Sequence, residues 1–315
     1  MKTPSHWNKV NFTSLILYPL GLIYGLVSAL RIAFTKPCKT SAHVICIGNL
    51  TAGGSGKTPT AVAIAQILQQ QGHLVCFLTR GYGGKLQKTL VSSQHTAAEV
   101  GDEPLILARQ APVVVDRNRV EGAQIAILNH ADTLIMDDGF QNPYLYKDIS
   151  LLVIDGEYGL GNCFCIPSGP LREFITLGRK RIQAVILLGN DTHNVLRFFP
   201  GIPVFKGRIT PLKPAITNPQ VIAFAGIGRP EKFYNSLRQC GLNPIKTYDF
   251  PDHHFYTETE LQKLISEAQK LSADLYTTAK DIVKIPQSLR PKFKVLEIGV
   301  EWDNAAALAS FLQHD

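Results

Sequence analysis

The sequence predicts an α/β protein: a mostly parallel sheet with helices on both faces, a smaller α/β C-terminal lobe, and an apolar helix at the amino terminus. Three observations carry that prediction. Short apolar runs at 43–47, 74–78, 112–115, 133–136, 150–154 and 184–188 alternate with stretches of helical pattern, which is the rhythm of βα units. Periodicity stops at 207–219, GRITPLKPAITNP, where prolines crowd, and a new unit begins with Val221-Ile222-Ala223-Phe224. No charged side chain occurs from Val10 to Leu30. These features divide the chain into an apolar segment at 1–36, a main domain at 37–206, a linker at 207–219 and a C-terminal α/β lobe at 220–315.

The apolar segment has cations on both flanks: Lys2 and Lys9 before it, Arg31, Lys36 and Lys39 after it. Three arrangements suit such a run. It can lie in the headgroup layer of a membrane, span it, or pack on the protein's own core. Its surroundings are basic, since residues 1–98 hold nine Lys or Arg and no Asp or Glu, while the remainder holds 23 basic and 25 acidic residues. Such a region attracts anionic lipid, nucleic acid or phosphorylated substrates. No interleaved aromatic and basic pattern favours nucleic acid. A chain of 315 residues that is 45% hydrophobic and only 18% charged is too apolar to be disordered. The six cysteines form no C-x-x-C pair, so they read as structural or incidental thiols of a reducing compartment.

The first strand, HVICIG at 43–48, runs into Thr51-Ala52-Gly53-Gly54-Ser55-Gly56-Lys57-Thr58 and then a helical stretch. Strand, glycine-rich turn, helix is the context of a phosphate-binding loop, and it makes the main domain P-loop NTPase-type. Gly53, Gly54 and Gly56 let backbone N–H groups curl around phosphate oxygens. Lys57 is placed for the β- and γ-phosphates, and the Thr58 hydroxyl for Mg²⁺. The strict pattern asks for glycine at position 51, where this chain has Thr51. A second strand, 133–136, ends in Asp137-Asp138, which supplies carboxylates for the metal. Thr278-Ala279-Lys280-Asp281 lacks the Asn of a guanine motif, so ATP is expected over GTP.

These motifs occur in one order with RGYGG (80–84), VGDEP (100–104), DDGFQ (137–141), PSGPLRE (167–173), FAGIGRPEKF (224–233) and FPDHH (250–254). The set resembles the tetraacyldisaccharide 4′-kinase family of lipid A biosynthesis. That resemblance implies MgATP-dependent phosphorylation of the 4′-hydroxyl of an acylated disaccharide 1-phosphate lipid, at the cytoplasmic face of the inner membrane. It implies Asp102 as the base for that hydroxyl, with Glu103 nearby for metal or positioning. His253 is the matching histidine, with His254 as the alternative. Arg172 would neutralise phosphate charge and Glu173 would support Mg²⁺. Arg119 is the favoured second arginine, with Arg117 as the alternative. The sequence departs from the family's usual residues at Asn142 and Ala279, which concerns secondary contacts.

The expected partners are the lipid substrate and a membrane surface, with no nucleic acid and no obligate protein partner. The competing function is a membrane-associated ATPase switch that hydrolyses ATP without phosphorylating lipid.

Overall fold

The computed structural model describes residues 4–313. In chain order the first part contains α1 (Phe12–Phe34), β1 (His43–Gly48), α2 (Lys57–Gln70), β2 (Val75–Thr79), β3 (Thr89–Leu90), α3 (Ala97–Val100) and α4 (Asp102–Leu107). There follow β4 (Val113–Val115), α5 (Arg119–Leu128), β5 (Thr133–Asp137), β6 (Ile149–Asp155), α6 (Ile175–Gly178), β7 (Ala184–Leu188) and β8 (Val204–Pro211). The second part holds β9 (Gln220–Ala225), α7 (Pro230–Gln239), β10 (Asn243–Asp249), α8 (Glu258–Lys270), β11 (Asp274–Thr278), α9 (Ala279–Ile282) and β12 (Lys294–Leu296). The chain closes with β13 (Ile298–Trp302) and α10 (Ala305–Leu312).

Nine strands make one sheet in the order β13-β8-β7-β6-β1-β5-β2-β4-β3. From β8 to β4 every pairing is parallel, and only the two edges are antiparallel. Alternation along β1 explains why both faces are covered. Val44 and Cys46 join one core with Ala123 and Ala126 of α5, while Ile45 and Ile47 join another with Ile64 and Leu68 of α2. A strand buried on both sides must be apolar at every position, which is why these strands read as continuous runs. The second sheet, β10-β9-β11-β12, is wholly parallel.

The boundaries expected from sequence need revision. Residues 207–211 are not linker: β8 runs on to Pro211 and pairs antiparallel with β13, Gly207 facing Trp302 and Pro211 facing Ile298. Likewise 298–312 does not belong to the second lobe. β13 returns to the large sheet, and Leu308 and Leu312 of α10 pack in the same core as α2. The second lobe is therefore an insertion hung between β8 and β13. Pro211 is tolerated because it ends β8, beyond the residues Val204–Gly207 that pair with β7. A pairing partner some ninety residues away leaves no trace in local periodicity.

The amino-terminal helix α1 turns its small residues inward. Ser14, Gly21, Gly25 and Ser28 are its buried positions. A Cβ on Gly21 would stand 2.7 Å from the Cys165 carbonyl oxygen, and one on Gly25 2.5 Å from the Phe174 ring, so only glycine permits this approach. Ser168 Oγ also donates to the Ser14 carbonyl at 2.6 Å. Phe12, Ile16, Ile23, Val27 and Phe34 all face outward. The core-helix arrangement is excluded, because the large apolar side chains point away from the protein. All six cysteines are free thiols.

Candidate active site

The loop between β1 and α2 is strapped to the segment that precedes α6. Ala52 donates its N–H to the Pro170 carbonyl at 2.8 Å, and Arg172 donates its own to Leu50 at 2.7 Å. Thr51 bridges Leu171. This pairing accounts for threonine where the strict pattern has glycine, since the residue sits in a bridge rather than a left-handed turn. Asn49 Nδ2 holds the loop from inside, donating to Ser55 Oγ at 2.9 Å and to Thr51 Oγ1 at 3.3 Å. Gly53, with φ of +121°, and Gly54 have nothing within 4 Å of where a Cβ would stand, which leaves an open cradle of backbone amides. Lys57 folds back over the loop, its Nζ 3.5 Å from the Gly53 carbonyl and 3.6 Å from Asp138. Thr58 is buried beside it.

The two acids that end β5 are in different situations. Asp137 is buried and its Oδ1 has no partner; burial, reinforced by Glu103, pushes its carboxyl up to about 7. Asp138 has a left-handed backbone, φ of +51°, and accepts both oxygens' bonds from Arg172 Nη1 at 2.8 and 2.9 Å. Burial opposes its ionisation, yet the Lys57 and Arg172 charges win and hold it below the ordinary aspartate value. Arg119 is buried, donates Nη1 to the Asp116 carbonyl, and leaves Nε unpaired. Burial lowers its guanidinium to about 10 against the pull of Asp137 and Asp138. Arg117 is exposed, so Arg119 is the arginine that faces the acids.

Two consecutive residues at the start of α4 reach the other lobe. Asp102 is buried; its Oδ2 meets His253 Nδ1 at 2.8 Å while Oδ1 accepts the Glu103 N–H at 2.9 Å. Burial disfavours the Asp102 carboxylate, but the His253 hydrogen bond with the Lys280 and Lys284 charges outweighs it, and the group sits below its usual value. The same hydrogen bond raises His253 against the effect of burial. His254 is directed elsewhere, to Glu260 at 3.2 Å and against the Phe250 ring. Tyr82 of RGYGG lies beside His253, ring centroids 5.9 Å apart.

Two expected metal ligands are otherwise engaged. Glu103 Oε1 accepts from Lys280 Nζ at 2.7 Å. Glu173 is 2% exposed and is tied to Arg181 and to Gln141 Nε2, the latter at 2.9 Å. Gln141 also donates to the Asn49 carbonyl at 2.9 Å, so Glu173 braces the phosphate loop through it. Among the described residues no three His, Cys, Asp or Glu groups converge as a metal cluster. Mg²⁺ usually takes one or two carboxylates and fills its sphere with phosphate oxygens and water. Thr58 and the orphaned Asp137 oxygen fit that habit, with Asp138 already held by Arg172.

Sequence reasoning passed over Lys280, Gln141 and Arg181. Lys280 was visible only as part of a failed guanine motif, and Gln141 only as the last letter of DDGFQ. Asn142 Oδ1 accepts the Tyr144 N–H at 3.0 Å as an ordinary turn residue, and Ala279 merely begins α9.

A family model described as tetraacyldisaccharide-1-P 4′-kinase (LpxK) matches residues 13–315. A tetraacyldisaccharide 4′-kinase of Rhodospirillum rubrum is 41% identical over 99% of this chain and 97% of its own length. One of Parvibaculum lavamentivorans is 45% identical over 90% of this chain and 87% of its own. Among solved structures, "apo" form LpxK from Aquifex aeolicus in complex with ATP superposes with a TM-score of 0.79. It is 27% identical, covering 95% of this chain and 98% of that one.

Proposed function

We infer the workings of the site from one premise: the chain belongs to the tetraacyldisaccharide-1-P 4′-kinase family. It is a kinase of lipid A biosynthesis that phosphorylates the 4′-hydroxyl of tetraacyldisaccharide 1-phosphate with ATP. The observation that carries the mechanism is the Asp102–His253 contact, which joins the two lobes. An ionised carboxylate can only accept a hydrogen bond, so His253 Nδ1 carries the proton and Nε2 is left to accept one. Asp102, buried and with both oxygens engaged, is a weak base. His253 is the better proton acceptor, and Asp102 holds its ring and tautomer, as a carboxylate does for the histidine of a hydrolytic triad.

In this reading the 4′-hydroxyl gives its proton to the neutral form of His253 as its oxygen bonds to the γ-phosphorus. The bond to the bridging oxygen breaks and ADP leaves. The amides of 53–56, Lys57 and Arg172 neutralise charge on the transferred and leaving groups. Arg119 holds a fixed positive charge beside Asp137. Mg²⁺ would be held by Thr58 and Asp137 and would draw charge from the phosphate oxygens. The open cradle at Gly53 and Gly54 and the unpaired Asp137 oxygen support both groups.

The outward apolar face of α1, with Arg31 and Lys36 at its carboxyl end, supports docking at the cytoplasmic face of the inner membrane. Replacing Phe12, Ile16 and Ile23 by serine is expected to abolish flotation with anionic vesicles while the soluble fold persists. Flotation that survives would assign membrane contact to another surface.

The test of function is transfer of labelled γ-phosphate from ATP to tetraacyldisaccharide 1-phosphate in mixed micelles, beside Lys57→Ala and Asp102→Ala. Labelled lipid from wild type, strongly reduced in both variants, is expected. Free phosphate without labelled lipid would instead favour the ATPase switch.

A further inference from the structure

Lys280 lies in the second lobe but ends at the first. Its Nζ stands 2.7 Å from Glu103 Oε1, one residue from the aspartate that pairs with His253. The backbones that present the two cations are welded together. Asp281, wholly buried, accepts the Gly226 N–H at 3.1 Å, the Tyr256 hydroxyl at 2.9 Å and the Thr278 hydroxyl at 2.6 Å. Gly226 in turn accepts the His253 N–H at 3.2 Å. A Cβ on Gly226 would lie 3.0 Å from Asp281 Oδ1 and 3.1 Å from the Tyr256 hydroxyl, so this junction is tightly filled. His253 and Lys280 thus form one rigid two-pronged face, and Asp102 and Glu103 form its socket at the amino end of α4.

A single hydrogen bond between lobes fixes a distance but leaves rotation free. Two bonds from adjacent residues to one rigid face remove all of that rotation except about the line that joins them. The alignment of a reacting hydroxyl, a base and a phosphorus atom depends on the orientation of the lobes. We propose that Lys280 is a positioning residue for phosphoryl transfer: by gripping Glu103 it seats the second lobe so that His253 meets Asp102 in register. The proposal rests on the kinase reading and adds a role to a residue outside the phosphate loop.

The test compares lipid phosphorylation by wild type, Lys280→Met, Lys280→Arg, Glu103→Gln and the double variant Lys280→Met/Glu103→Gln. Loss of alignment is expected to lower kcat of Lys280→Met on the order of 100-fold, with KM for MgATP within about threefold of wild type. Lys280→Arg recovers most of that loss, because a guanidinium still reaches Glu103. The double variant is no worse than the poorer single one, since both remove the same contact. Lys280→Met with kcat within about threefold of wild type would overturn the proposal, as would losses that multiply in the double variant. If Lys280→Met does not fold, the isosteric Glu103→Gln decides alone, and full kcat there overturns it. Wild type that yields no labelled lipid defeats the kinase reading itself, whereas active wild type beside active variants defeats only the role of Lys280.

Discussion

At one contact between the lobes, Asp102 and Glu103 meet His253 and Lys280; at another, Asp155 and Glu157 meet Arg229 and Lys232. Both are acid-on-base pairings in which the first lobe supplies the carboxylates. They differ in what stands behind the charges. His253 and Lys280 are presented by backbones pinned to Gly226 and Asp281, and the Asp102 side chain is 7% exposed. Arg229 and Lys232 reach out from the start of α7 with half-exposed side chains, to Asp155 at 3.5 and 3.2 Å and to Glu157 at 3.4 Å. The Arg229 guanidinium also lies over the Tyr158 ring at 4.5 Å. Long exposed side chains surrender entropy to pair and are screened by salt, so each such pair is worth about 0–1 kcal/mol. Pre-organisation, rather than the number of ion pairs, separates the contact that can align a reaction from one that only adds grip.

Three measurements sharpen that contrast. The largest effect is expected at the pinned contact. Asp102→Asn or His253→Ala should lower kcat by roughly 10²–10⁴-fold, the usual span for loss of an acid–base partner, with circular dichroism unchanged. Retention of near wild-type turnover would remove the pair from the reaction.

The second measurement is a pH titration of His253 by NMR. Its hydrogen bond to Asp102 raises the imidazole above its ordinary value, so Asp102→Asn should bring it down. A raised folded value means the pair's contribution to stability is fully present below the ordinary histidine value of about 6.5 and is lost as pH climbs through the raised one. An identical titration in wild type and variant would show that the contact does not persist in solution.

The smallest effect belongs to the exposed contact. Arg229→Ala with Lys232→Ala should change turnover by less than about threefold, and the difference should fade in high salt. A large, salt-independent loss would mean that this contact too is pre-organised.

Local chemistry is legible in a sequence because it depends on neighbours. GGSGKT after a buried strand announces the phosphate cradle, and the continuous apolar runs announce a parallel sheet. Gly53 and Gly54 have open space where a Cβ would stand. Even the order of motifs along the chain sufficed to name the family.

Contacts made across long separations decided the rest. Whether α1 faced inward or outward depended on Cys165 and Phe174, far along the chain, which accept only glycine beside them. The linker shrank because β8 found β13. Glu173, which the sequence offered as a metal ligand, became a brace once Arg181 and Gln141 reached it. His253 was separated from His254 by a left-handed backbone, φ of +60°, that aims one ring at Asp102 while its neighbour stacks on Phe250. The sequence by itself determined which groups could bind phosphate, carry charge or meet lipid. Only the tertiary structure decided which carboxylate is already paired, which is left open, and which lysines reach across to the other lobe. Pairing and burial are properties of three-dimensional neighbours, and they set the orientation of the groups in the site and shift the ionisation of Asp102, Asp137, Asp138 and His253.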